Sequence, residues 1–158
     1  MRDARKTWEQ YHIIRVLRSD KDTHFTGALD QYEVERENIE GLLSNNIIIK
    51  QITMLSEQRL NYRLHFFSKD SFESTDPDED AYIGWVDFDL STHGIQYGGS
   101  GLWRLSVVGE GEGLLRYIDE DGTKELHVAL ENLDATAKNA GSGGYVVIVV
   151  FYTILEYS

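Results

Sequence analysis

Tyr145-Val-Val-Ile-Val-Val-Phe-Tyr-Thr-Ile-Leu-Glu-Tyr157 is the stretch that decides the fold. β-Branched and aromatic residues dominate it, and these favour strands. It is too short, and too polar at its end, to cross a bilayer as a helix. Gly141, Gly143 and Gly144 mark its start. At about 3.3 Å per residue such a strand would exceed about 40 Å, beyond the usual length. Both of its faces are apolar. One carries Tyr145, Val147, Val149, Phe151, Leu155 and Tyr157, the other Val146, Ile148, Val150, Tyr152 and Ile154. A sheet wet on one side alternates apolar with polar residues, so this strand is expected to need cover on both sides. One face meets the core. The other meets a loop, an N-terminal segment or another copy of the chain. Phe151 and Leu155 assign the odd-numbered face to the core. That leaves Ile148, Val150, Tyr152 and Ile154 as the expected interface.

Upstream, the same texture recurs in shorter pieces. Strands are expected over 10–18, 47–55, 60–68, 81–90, 102–108, 114–118 and 124–132; 32–36 fits a strand followed by loop or the start of a short helix through Leu43, and the surrounding strand signals favour the strand. In 60–68, Leu60, Tyr62, Leu64 and Phe66 share one face. In 124–132, Leu126, Val128 and Leu130 point inward, with Glu125, His127 and Glu131 outward. Tyr82, Val86 and Phe88 are expected to face one way and Trp85 the other. Asp119-Glu-Asp-Gly122 is a hairpin turn, since Asp-Gly supplies the positive φ that tight turns need. Eight to ten strands without a long helical period predict an all-β fold. The expected architecture is an antiparallel β-sandwich, with a jelly roll as the leading version. Residues 1–9 read as an N-terminal arm and 10–158 as a single sandwich domain.

Composition narrows the function. A chain of 158 residues can build one domain with a real core. Cysteine is absent, so neither a disulfide framework nor a thiolate metal site is available. The opening Met1-Arg-Asp-Ala-Arg-Lys lacks the apolar run of a signal peptide, and use in the cytoplasm, or in something assembled there, is expected. The net charge of −12 is uneven: residues 1–21 hold six basic against three acidic residues, a local +3, so the remainder carries −15. An acidic body does not bind nucleic acid by itself. Any such contact is expected only through the basic arm. There, Arg2, Arg5 and Lys6 are expected to contact neighbouring subunits or an anionic surface.

Chemical motifs are scarce. Asp76-Pro-Asp-Glu-Asp80 gathers four carboxylates, but its spacing is not that of an EF-hand and it reads as a solvated loop. His12, His24, His65, His93 and His127 include no His-x-His pair, and His65 and His127 can approach only if their strands pair. Gly109-x-Gly111-x-Gly113 lacks the strand-to-helix context of a phosphate loop. No Gly-x-Ser-x-Gly elbow is present. Neither metal nor cofactor is expected. Trp8, Trp85 and Trp103 read first as packing residues and second as stacking platforms.

Two stretches carry a resemblance. Ile49-Lys-Gln-Ile-Thr53, followed by Asn61-Tyr-Arg-Leu-His-Phe-Phe-Ser-Lys-Asp-Ser-Phe72, resembles a strand pair of small β-sandwich virion proteins. Lys124-Glu-Leu-His-Val-Ala-Leu-Glu-Asn132 with the terminal Val/Ile/Tyr strand resembles their closing strands. The likeness lies in strand texture over about half the chain. It implies a single jelly roll used as a capsid, decoration or spike-base subunit, placed in a virion assembled in the host cytoplasm. It carries no functional residue. The leading expectation is therefore a non-enzymatic, self-assembling homo-oligomer whose partners are copies of itself or other virion proteins, with no membrane. The alternatives are a cytoplasmic carbohydrate- or ligand-binding sandwich module using Trp85 or Trp103, and an enzyme with an unrecognised site.

Overall fold

Among the described residues the hydrophobic alternation becomes ten antiparallel strands: β1 Ile14–Arg18, β2 Val34–Glu40, β3 Asn46–Ser56, β4 Asn61–Phe67, β5 Tyr82–Asp89, β6 Ile95–Tyr97, β7 Leu102–Val108, β8 Leu115–Ile118, β9 Glu125–Asn132 and β10 Val146–Glu156. A short helix, α1 (Leu90–His93), follows β5, capped by the Asp89 carboxylate accepting from Thr92 N at 3.1 Å. The computed structural model describes residues 14–19, 24–26, 29–70, 75–99, 101–111, 113–135 and 145–156.

The pairing is that of a rolled ribbon. β1 pairs with β10, β2 with β9, β3 with β8, and β4 with β5. Rolling this ribbon brings β10 against β3 and β9 against β4. Two sheets result, β1-β10-β3-β7-β6 with β8 also on β3, and β2-β9-β4-β5. This is a jelly roll within an antiparallel sandwich. The extra hairpin β6–β7 extends the edge of the larger sheet.

Between the sheets lies one core. The larger sheet contributes Ile47, Ile49, Ile52 and Met54; the smaller contributes Tyr62, Leu64, Phe66, Leu126, Val128 and Leu130, all fully buried. The expected inward sets of β4 and β9 are the observed ones. Phe25 closes one end, exchanging hydrogen bonds with Val146 at 3.0 and 2.8 Å.

The terminal strand holds the expected central place, but its two faces are exchanged. Val146, Ile148, Val150, Tyr152 and Ile154 all belong to the core, so Ile148, Val150, Tyr152 and Ile154 do not form an outer interface. The outward face is Val147, Val149, Phe151, Thr153 and Leu155. The physical reason is the neighbouring strand: Ile148 and Val150 lie beside the fully buried Met54 and Ile52 of β3, whereas Val149 and Phe151 lie beside its polar Thr53 and Gln51. Tyr152 enters the core because its hydroxyl finds a partner there, accepting from Leu43 N at 3.1 Å.

Two irregularities re-aim side chains, as β-bulges do. In β3, Lys50 is skipped in the pairing with β10, so the inward set shifts from Ile47 and Ile49 to Ile52 and Met54. At this point the far edge of β3 passes from β8 to β7. In β5, Ile83 is skipped opposite β4. Tyr82 therefore leaves the face of Val86 and Phe88 and joins Trp85 on the outside, which corrects the alternation expected from sequence.

Candidate functional site

The outer face of the smaller sheet gathers most of the polar chemistry among the described residues. Cross-strand register aligns Arg63 with Glu131 and Asp87, His65 with Ala129 and Trp85, and Phe67 with His127 and Tyr82. His65 and His127, both expected outward, thus stand on paired strands, yet both are buried. Their cover is a small second core of Phe67, Ala81 and Ala129, with Val34 and Tyr82 packed against it.

His65 bridges two partners. Its Nε2 lies 2.8 Å from Glu131 Oε1 and its Nδ1 lies 2.7 Å from the Tyr82 hydroxyl. Burial lowers the imidazole pKa against the pull of Glu131. A neutral ring donating from Nε2 and accepting at Nδ1 satisfies both contacts. The order Tyr–His–Glu is that of a nucleophile, base and orienting acid. Burial pushes the Tyr82 phenol up to about 12, which keeps it protonated at neutral pH and able to donate to His65 Nδ1.

Beside this relay stands Trp85, 49% exposed. The Arg63 guanidinium lies over its ring at 5.5 Å and is held by Asp87 through bonds of 2.6 and 3.2 Å. Trp103 differs: it packs partly buried against the main core with Arg59 over its ring at 4.5 Å.

At one end of the sandwich, Asp119 organises the β8–β9 turn. One oxygen accepts from Asp121 N and His127 Nε2, both at 3.0 Å. The other accepts from Thr123 N, Thr123 Oγ1 and Glu125 N at 3.0 to 3.1 Å. Burial would raise this carboxyl, but the bonds from Glu125, His127 and Thr123 together hold it below the usual carboxylate range. Asp119, Asp121 and His127 bring ligand atoms within 4.8 Å of one another, the spacing a cation needs. Here the Asp119 oxygens are committed to five donors of the fold itself. The cluster reads as a turn, as the sequence suggests, with His127 added to it.

The larger sheet presents a different surface. Its outward side chains include Ile14, Val16 and Val108, exposed by 56, 57 and 62%, around the partly buried Val149 and Phe151. A groove of about 530 Å³ opens on it, lined by Ile48, Leu114, Leu115 and Leu155 with Lys50 and Arg116 at its rim. The acidic loop is local structure: Asp76 Oδ1 accepts from Asp78 N at 2.9 Å and Asp76 O from Glu79 N at 3.0 Å. Arg2, Arg5, Lys6, Trp8 and His12 lie outside the described residues. Sequence reading missed Arg63 and Asp87 as neighbours of the exposed Trp85 and Glu131 as the partner of the buried His65; only strand pairing brings them together. The chain matches no protein-family model and no curated protein.

Proposed function

We propose that this chain is a non-enzymatic structural subunit that assembles with copies of itself through the outward face of its larger sheet, as a coat or decoration protein of a virus particle formed in the host cytoplasm. The observation that carries this is the apolar face itself. Ile14, Val16 and Val108 stand more than half exposed on a face that they share with the partly buried Val149 and Phe151 and with the polar Arg18, Gln51, Thr53 and Ser106. Exposed apolar side chains gathered on one face support an interface there. The viral setting rests on the strand-texture resemblance together with the jelly-roll order. Arg2, Arg5 and Lys6 supply a basic arm for the acidic body of a neighbour, an attraction that salt weakens. Among the described residues no helix is long and apolar enough to cross a membrane.

Light scattering of the native protein tests the proposal. An oligomer is expected, and Val16→Asp should remain folded by circular dichroism while running as a monomer. A wild-type protein that stays monomeric at high concentration overturns it. So does a Val16→Asp variant of unchanged native mass.

A further inference from the structure

The smaller sheet faces away from the assembly surface, and on it Trp85 remains half exposed. Large aromatic side chains normally bury their apolar faces. Trp85 is flanked instead by polar groups that are themselves fixed. Arg63 lies over the ring and is anchored by Asp87. Tyr82 flanks the indole at 6.4 Å, tilted by 46°, and is held by His65, which Glu131 holds in turn. The anchored guanidinium keeps N–H donors beyond the two spent on Asp87, and the half-exposed Asp87 carboxylate keeps acceptor positions.

A flat apolar ring beside a donor–acceptor pair is complementary to a sugar. The indole takes the C–H face of a pyranose, and the guanidinium and carboxylate take adjacent hydroxyls. Charge selects the class. Two carboxylates, Asp87 and Glu131, stand against the single Arg63 in a chain of net charge −12, so an anionic sugar is repelled. A protein partner would call for further apolar residues around the aromatic anchor, whereas ion-paired groups surround this one. We propose that this face binds a neutral carbohydrate, with Trp85 as the stacking platform and Arg63 and Asp87 as the hydroxyl-binding pair. His65, Tyr82 and Glu131 are positioning residues. This inference does not depend on self-assembly.

Saturation-transfer NMR of the full chain tests it with maltotriose, cellotriose, mannotriose, chitotriose and lactose, and with sialyllactose as the anionic comparison. At least one neutral sugar should receive saturation. Trp85→Ala should weaken its binding by about tenfold, the upper range of one aromatic contact. Trp85→Phe should retain part of it, and Asp87→Asn should weaken it. Circular dichroism of each variant should match the wild type, since these side chains are exposed. Failure of all five neutral sugars to bind overturns the proposal. Equal binding by folded Trp85→Ala, or tighter binding of sialyllactose, does the same. A Trp85→Ala variant that alters native mass while leaving sugar binding intact makes the face a protein interface and also overturns it.

Discussion

His127 Nε2 lies 3.0 Å from Asp119 Oδ1, and neither side chain is more than 1% exposed. Asp121 Oδ2 stands 3.6 Å from the same nitrogen. The other ring nitrogen lies 2.8 Å from Asn38 Oδ1, and the Asn38 amide is oriented by donating to Asp70 at 2.8 Å. Both nitrogens therefore face side-chain oxygens. The contact ties β2, β9 and the β8–β9 turn together. Asp119→Ala strands the ring and the amides of Thr123 and Glu125, and breaking a buried pair in this way costs about 3–5 kcal/mol. Urea denaturation should show a fall of that order; a loss under about 1 kcal/mol, within the range of a surface change, would reduce the cluster to decoration.

Side-chain parity in β10 gives a second test. Ile148→Asp places an unpaired carboxylate in the core and should abolish folding. Val149→Asp lies on the outward face and should leave a folded chain. Far-ultraviolet circular dichroism of the two variants decides it, and the reverse result would restore the parity expected from sequence.

Acid should destabilise the protein partly through His65. Its folded pKa is lowered by burial from the usual 6.5, so the unfolded chain binds the proton more readily. The contribution is in place above about pH 6.5 and is lost as pH falls through that value toward the folded one. His65→Gln should flatten the stability profile in that window. An unchanged slope between pH 7 and about pH 5 would show that the ring is not responsible.

Gly113 has φ +124°, and a Cβ there would lie 2.5 Å from Ile48 Cγ2 and 3.1 Å from Ile49 O. Gly113→Ala should lower stability by about 1–3 kcal/mol, the cost of a strained backbone position. Gly111 also has positive φ but meets nothing within 4 Å. Gly111→Ala should therefore cost less in the same thermal melt, and equal losses would mean that backbone conformation alone matters.

Asp78→Asn combined with Asp80→Asn should change stability by no more than about 0.5 kcal/mol, as surface substitutions usually do. Thermal melts with and without EDTA check it. A chelator-induced fall that the double substitution removes would make the loop a metal site.

Strand positions were legible because period-two alternation survives wherever one face is buried: Leu60 to Phe66 and Leu126 to Leu130 point as their spacing says. β10 was legible as a central strand but not in its parity. Both its faces are apolar, and Thr153 is a small signal against Phe151 and Leu155. Tyr82 was misplaced because the bulge at Ile83 leaves no mark in the local sequence. The polar site was invisible for a different reason. Arg63, His65, Trp85, Asp87 and Glu131 come from three strands, and only their register makes them neighbours.

Because β10 lies between β1 and β3, the larger sheet joins the two ends of the described chain, pairing Ile14 with Thr153. On the ribosome, β1 and β3 emerge long before the strand that separates them. At about 5–20 residues per second the nascent chain spends several seconds with two unpaired strand edges facing a gap. Such long-range pairing is slow and exposes edges that invite association. A chaperone that shields β1 and β3 until residue 156 has been made would raise the yield of native protein. The rolled topology thus transfers part of the folding problem from the sequence to the timing of synthesis.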